Sequence, residues 1–164
     1  MRPERIEPGP GQESVWDYPR PPVAVHGEER VRVLHRGRIV ADSTSAVRVL
    51  ETSQPPAFYL PRTDVDTTLL VPGGGRSTCE WKGAASYWSL LVDDVLVADA
   101  AWSYEHPTPS FAAIAGHLAF YAQRVDECWV GEERVAPNPG NLYGGWITSR
   151  VAGPFKGAAG TLHW

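Results

Sequence analysis

The chain contains nearly the same ten residues twice, as VLHRGRIVAD at 33–42 and as LLVDDVLVAD at 90–99. A weaker echo, CWVGEERVAP, follows at 128–137. In each stretch, two runs rich in β-branched residues flank a turn-sized pair: Arg36-Gly37, Asp93-Asp94 and Gly131-Glu132. Glycine supplies the positive φ that tight hairpin turns require. The three stretches therefore predict three β-hairpins.

The similarity extends beyond the hairpins, because FYLPRTDV at 58–65 is answered by FYAQRVDE at 120–127. Matches in the same order indicate a degenerate internal duplication, with 33–42 and 90–99 in equivalent hairpins related by an approximate two-fold axis. Hairpins that each bury one apolar side need a second sheet to cover it. The sequence thus predicts a mainly β fold of two antiparallel sheets packed at an angle.

Other elements are expected to be short, since 16 glycines and 15 prolines interrupt the chain. Helical periodicity appears at most in TSAVRVLETS at 44–53, where Thr44 or Ser45 could cap one short helix. The segment GGGRS at 73–77 is predicted to be a hairpin loop. We expect a flexible N-terminal arm over 1–14, one domain over 15–136, and an extension over 137–164 packed on that domain.

Charge and hydropathy argue against nucleic-acid and membrane partners. The formal net charge of the 164 residues is −4, without the basic stripe that nucleic-acid binding would require. No apolar run approaches the roughly 18 residues that span a bilayer, so no membrane association is expected. The polar N-terminus is not typical of a secretory signal, which favours a cytoplasmic protein.

The two cysteines, Cys79 and Cys128, are far apart in sequence and form no C-x-x-C pair. The five histidines show no H-x-x-x-H spacing. The sequence therefore predicts no metal site and no cofactor. A cysteine nucleophile would need a histidine base, and Cys79 with His106 or His117 is one such pairing, although any chain with these residue types offers one.

Four motifs in order, RVLETSQPPAFYLPRTDV, TCEWKGAASYWSL, AAWSYEHP and IAGHLAFYAQRVDECWV, resemble the bacterial domain-of-unknown-function family 427. The flanks ESVWDYPRPP and NLYGGWITSRVAGPFKGAAGT resemble its longer members, so the resemblance covers about residues 13–164. It implies a β-tent fold, the grouping of methionine sulfoxide reductase B, the Yippee proteins and the ligand-binding domain of cereblon. Many of those relatives hold zinc on two cysteine pairs, which this chain lacks.

Seven tryptophans could serve a core or a binding pocket. Trp88, in SYWSLLV, alternates with apolar residues and is expected in the core. In the β-tent grouping, aromatic walls bind small ligands, which by analogy favours a cleft beside AAWSYEHP.

Among polar candidates, Arg48 and Glu51 share a face if 44–53 is helical, and a surface ion pair is the alternative interpretation of the two. Lys82 lies between Trp81 and Gly83 and could hold an anion or contact an aromatic face; Lys156 is its echo in PFKGAAG. The predicted site binds an unknown small molecule, and no catalytic residue is assigned. Its residues are Arg48, Glu51, Tyr59, Lys82, Trp102 and Tyr104.

Three alternatives stay open, as does the question of whether the protein is an enzyme. A nucleotidyltransferase label attached to the resembled family implies an enzyme acting on a phosphorylated ligand. Such an enzyme, metal-independent or Mg²⁺-dependent, would use Lys82, Arg48 and the Asp64/Asp66 pair. However, GGGRS follows that pair instead of preceding it. Similarity to the reductase would make Cys128 a nucleophile. A protein-interaction module would instead expose an apolar patch around Trp146 and Trp164.

Overall fold

A computed structural model describes residues 2–164. Within them the chain forms fifteen strands and four 3-10 segments, and no α-helix. The 3-10 segments are Val15–Asp17, Arg62–Asp64, Thr67–Leu69 and Pro109–Ile114. The strands are β1 Glu13–Ser14, β2 Val23–His26, β3 Val31–His35, β4 Arg38–Ser43, β5 Val47–Leu50, β6 Ala57–Tyr59, β7 Leu70–Cys79, β8 Gly83–Val92, β9 Val95–Ser103, β10 Leu118–Phe120, β11 Glu127–Val130, β12 Glu133–Arg134, β13 Ala136–Pro137, β14 Trp146–Ile147 and β15 Val151–Ala152. The predicted mainly β fold is confirmed.

Three antiparallel sheets carry the architecture. Sheet I has the strand order β10-β9-β8-β7, sheet II the order β12-β11-β3-β4, and sheet III the order β2-β5-β6. A single antiparallel bridge between Leu60 and Leu118 joins sheet III to sheet I. Two further pairs, parallel β1-β15 and antiparallel β13-β14, fasten the ends of the chain.

All three predicted hairpins form, as β3–β4, β8–β9 and β11–β12. In the first, both turn residues have positive φ, 49° at Arg36 and 76° at Gly37. The second turn has 52° at Asp93 and 61° at Asp94. Two consecutive positive φ values are the signature of the hairpin turn whose twist matches that of the flanking strands.

The hairpins do not occupy equivalent positions in their sheets, contrary to the two-fold relation expected from the repeat. The β3–β4 hairpin leaves β4 at an edge of sheet II, whereas β8–β9 lies inside sheet I between β7 and β10. The repeated decapeptide therefore records the local chemistry of a two-residue turn between apolar strands. It does not record a repeat of the whole sheet.

The helix expected over 44–53 is wrong, since this stretch contains β5, the central strand of sheet III. Val47 and Val49 are buried on one side of it, and Arg48 lies between them. Branched side chains at alternate positions fit a pleated, half-buried surface better than a helix. The short apolar run at 47–50 fits both a helical and a strand period. Its pairing with β2 and β6 makes it a strand.

The expected loop at 73–77 is also wrong, because these residues belong to β7. The pairing with β8 shifts register between Pro72 and Arg76, where the glycines lie. A Cβ on Gly75 would come within 2.8 Å of an Asp99 carboxylate oxygen and 3.1 Å of the Tyr87 ring. The glycines thus permit a close approach within a strand, and the turn lies at 80–82 instead.

Alternating side chains on the central strands feed two separate cores. On β6 and just beyond it, Phe58 and Leu60 enter a core shared by sheets I and II. Tyr59, between them, enters a second cluster formed by sheets I and III. β10 repeats the pattern, with Leu118 and Phe120 in the first core and its middle residue in the second. Strand period thus divides consecutive residues between two environments.

The C-terminal residues pack onto this framework. Trp146 is 1% exposed, stacks on Phe58 at 5.1 Å between ring centroids, and donates its Nε1 hydrogen to the Phe120 carbonyl at 2.8 Å. Trp164 packs against Trp16 at 5.8 Å. Trp146 therefore does not contribute to the exposed apolar patch that would support a protein-interaction module. The division into an arm, a domain over 15–136 and an extension stays a prediction, although β1 of the arm pairs with β15.

Candidate functional site

The candidate site is a cavity of about 340 Å³ walled by sheets I and III and by the C-terminal segment. No residue of sheet II lines it, so the cavity lies on the side of sheet I that faces sheet III. A short connection covers one end with Glu51 and Gln54, and the turn at 80–82 covers another. Residues 142–145 close it from the C-terminal side.

Five of the six predicted site residues line this single cavity: Glu51, Tyr59, Lys82, Trp102 and Tyr104. Arg48 does not. On a strand, adjacent side chains point to opposite faces, so Val49 enters the cavity while Arg48 turns away. Arg48 lines a different cleft and pairs there with Glu13 at 2.9 Å between Nη1 and Oε1. Grouping Arg48 with Glu51 depended on helical spacing, and that spacing does not exist here.

The deepest wall is aromatic. Trp102 is 7% exposed and donates its indole hydrogen to Tyr59 Oη at 3.1 Å, with the two rings edge-on at 87°. Tyr121 lies against the same indole, 4.5 Å between centroids. Burial raises the pKa of Tyr59 and of Tyr104 well above the usual range, so both phenols stay neutral at pH 7. Tyr104 Oη makes no hydrogen bond to residues 2–164.

Lys82 carries positive charge into this aromatic surface. Lys82 is 8% exposed, and its Nζ lies 5.7 Å from the Tyr104 ring centroid and 5.8 Å from that of Phe111. Thr108 donates its backbone hydrogen to the Lys82 carbonyl at 3.1 Å, and Gly83, with φ of 105°, turns the chain into β8. These contacts hold the carbonyl side of Lys82 at the point where the chain turns into β8.

The two acidic residues of the lining, Glu51 and Glu80, do not neutralise Lys82. Glu51 Oε2 accepts a hydrogen bond from Gln54 Nε2 at 3.1 Å and lies 3.5 Å from Arg20 Nε. Glu80 is solvent-exposed at the turn. Neither carboxylate pairs with Lys82.

Sequence reasoning missed the C-terminal wall. Lys156 and Tyr143 line the cavity, with Nζ 5.3 Å above the tyrosine ring. A Cβ on Gly144 would overlap the Trp102 ring, so this glycine lets the backbone lie flat on the indole. Two glycines before a tryptophan in NLYGGW were the available signal for such a close approach.

A family model matches residues 23–131, more than half of the chain. The chain belongs to the family described as a domain of unknown function (DUF427). No curated protein matches the chain. The DUF427 match includes the walls from sheets I and III, but it ends before Tyr143, Gly144 and Lys156.

The carboxylates proposed for Mg²⁺ lie outside this DUF427 cavity and serve local structure. Asp64 accepts a hydrogen bond from Ser43 Oγ at 2.7 Å, and Asp66 caps a 3-10 segment through Thr68. Across residues 2–164, no three His, Cys, Asp or Glu side chains come together as a metal site would require. The Mg²⁺-binding role considered for Asp64 and Asp66 therefore has no support from their positions.

The two thiols differ sharply. Cys79 lines the cavity, but neither His106 nor His117 does. Cys128 is 2% exposed in the first core, where burial raises the pKa of its thiol well above the usual range. A buried thiol held in its neutral form is a poor nucleophile. The reductase-like role considered for Cys128 has no support from this position.

Trp88, which the sequence placed in the core, is only half-buried. Its Nε1 donates to Ser103 Oγ at 2.9 Å.

Proposed function

We propose that the protein binds a small organic anion in the cavity between sheets I and III. The observation that carries the proposal is Lys82, a buried cation on an aromatic wall that no carboxylate of residues 2–164 neutralises. A buried charge is costly unless it is paired. An anionic group on a ligand would supply the missing partner.

The aromatic contacts of Lys82 stabilise its charge without neutralising it. A cation over a ring face gains about 0.5–2 kcal/mol, but this contact satisfies none of the three hydrogen-bond donors of the ammonium. The free Tyr104 Oη is a neutral donor on the same wall. The two groups together favour an acceptor-rich group such as a carboxylate or phosphate.

The rest of the cavity favours a flat apolar body attached to that anion. Its volume of about 340 Å³ lies at the lower end of the range for small-molecule pockets. The rings of Tyr59, Trp102 and Tyr121 form a continuous wall against which a planar group could lie. Polar side chains, among them Glu51, Gln54 and Lys82, stand beside this wall and could orient a bound ligand.

A panel of metabolites in matched anionic, neutral and cationic forms tests the proposal by tryptophan fluorescence and thermal shift. Anions with an aromatic part should bind, and Lys82→Met should weaken each hit at least about tenfold. Arg38→Met removes an equivalent charge from an exposed side chain that pairs loosely with Asp93, and should change nothing. Hits that bind Lys82→Met as tightly as the wild type would contradict the proposal, as would a preference for cations.

The structure bears on membrane association only through its helices. No helix within residues 2–164 is both long and apolar enough to cross a membrane. A cytoplasmic location and the absence of a nucleic-acid partner stay predictions.

A further inference from the structure

We infer that the natural ligand is a dianion, typified by a phosphate monoester, held jointly by Lys82 and Lys156. This inference rests on the proposed function and sharpens it. Lys82 belongs to the DUF427 match and Lys156 lies outside it. The second positive charge, and with it the preference for a dianion, is therefore a property of the C-terminal segment.

The distribution of cations in the chain carries the inference. Of its 15 Lys and Arg residues, only Lys82 and Lys156 are lysines, and both line the same cavity. Each Nζ lies over a tyrosine ring of the wall, at 5.7 Å for Lys82 and 5.3 Å for Lys156. Neither ammonium forms an ion pair with residues 2–164. Most arginines, by contrast, have carboxylate or carbonyl partners on the surface.

Lysine suits this task for a physical reason. Its ammonium is a compact charge with three donors on a flexible stem, able to reach one phosphate oxygen from either side. Two like charges facing one enclosed volume repel each other, and a monoanion neutralises only half of them. A dianion neutralises both. Glu51 cannot do so, since its Oε2 is already occupied by Gln54 and approached by Arg20.

The backbone around Lys156 is held in place, so its position is not accidental. Its amide donates to the Ser53 carbonyl at 2.8 Å, and the next amide, at Gly157, donates to Thr161 Oγ1 at 2.9 Å. Tyr143, under the ammonium, is fixed through its carbonyl, which accepts from Gln123 Nε2 at 3.1 Å. Both residues are thus presented to the cavity by anchored segments.

Two probes of the same shape separate the charges. 2-Naphthyl phosphate is a dianion at pH 8, because its second pKa is near 6, whereas 2-naphthyl sulfate is a monoanion. By titration calorimetry at low salt, the wild type should prefer the phosphate by about tenfold, which corresponds to about 1.4 kcal/mol. Lys156→Met should weaken the phosphate about tenfold, leave the sulfate within about twofold, and abolish the preference.

Further variants separate charge from folding. Lys156→Gln should reproduce the result of Lys156→Met, and Lys156→Arg should keep most of the preference because it keeps the charge. Thermal melting checks that each variant is folded. Lys82→Met should weaken both probes, since its partner is the anionic group that both share.

The scarcity of lysine allows a direct readout of joint contact. Acetylation by dilute acetic anhydride, followed by peptide mass spectrometry, reports on each lysine separately. The phosphate should protect Lys82 and Lys156 together, whereas the sulfate should protect Lys82 more than Lys156. Equal affinity for the two probes, an equal loss for both in Lys156→Met, or an unprotected Lys156 would each overturn the inference while leaving anion binding intact. Binding of neither probe would overturn both proposals.

Discussion

The buried hydrogen bond from Trp102 to Tyr59 can be tested by removing its donor, its acceptor, or both. Trp102→Phe keeps a ring on the cavity wall but removes the indole hydrogen. Tyr59→Phe keeps the second ring and removes the oxygen that accepts at 3.1 Å. Both residues are almost wholly buried, so water cannot replace the lost partner without entering the cluster.

The expected magnitudes follow from which group each change leaves unpaired. Trp102→Phe leaves Tyr59 Oη without its donor, at about 1–3 kcal/mol, and loses ring area worth about 1 kcal/mol. Tyr59→Phe leaves the indole hydrogen unpaired, again at about 1–3 kcal/mol. The double variant leaves neither group behind. It should therefore cost less than the sum of the single changes, with a coupling of about 1–2 kcal/mol.

Urea unfolding of the four proteins, followed by the fluorescence of the remaining tryptophans, measures the free energies of unfolding. The matched control cycle combines Trp102→Phe with Tyr18→Phe, because Tyr18 belongs to a separate cluster and bonds to Glu13. That cycle should be additive within about 0.5 kcal/mol. If the Trp102–Tyr59 cycle is equally additive, the hydrogen bond does not stabilise the wall and the reasoning about its rigidity fails.

Three further predictions concern packing, thiol reactivity and pH. Gly144→Ala should destabilise the fold by about 1–3 kcal/mol in urea titrations because its Cβ overlaps an indole, while Gly74→Ala, with nothing within 4 Å, should change stability by less than about 0.5 kcal/mol. Cys79 should react with a thiol reagent in the native protein and Cys128 only on unfolding, and equal rates would contradict the burial described here. A hydrogen bond from Arg48 lowers the pKa of Glu13, so the pair stabilises the fold above the unfolded pKa of Glu13 and this stabilisation is lost as pH falls through the folded pKa. Glu13→Gln should therefore reduce the loss of unfolding free energy between neutral and acid pH, measured by urea titration at several pH values. The reduction should be at most about 0.5 kcal/mol, since the Glu13 side chain is half exposed.

The hairpins were predictable because their information is local. The pairs Arg36-Gly37 and Asp93-Asp94 lie between strand-forming residues, and turn geometry depends on little else. The mainly β class followed from those turns and from the frequent glycines and prolines. The arrangement of sheets did not follow, since the same hairpin can pair at an edge or inside a sheet. Only contacts with strands distant in sequence decide that.

The sequence predicted part of the lining of this cavity, and its role as a binding site stays a prediction. Lys82, Trp102 and Tyr104 stand next to turns or strand ends, where side chains of mixed character meet clefts, and the structure brings them together. Arg48 was misplaced for one reason, the choice of a 3.6-residue period over a period of two. That choice moved a single side chain across a sheet and exchanged a ligand contact for an ion pair with Glu13.

The place of Lys156 in the C-terminal wall could not have been found by any local rule, because nothing near Lys156 in sequence reveals which ring it covers. Its position depends on Gly144 lying against Trp102, a contact between residues 42 positions apart. A larger residue at 144 would lift the segment from the indole, and Tyr143 and Lys156 would move away with it. Gly144→Ala should thus weaken 2-naphthyl phosphate more than 2-naphthyl sulfate, like Lys156→Met, whereas Gly74→Ala should weaken neither. Equal weakening of both probes by Gly144→Ala would mean that the segment shapes the aromatic wall without carrying the charge preference.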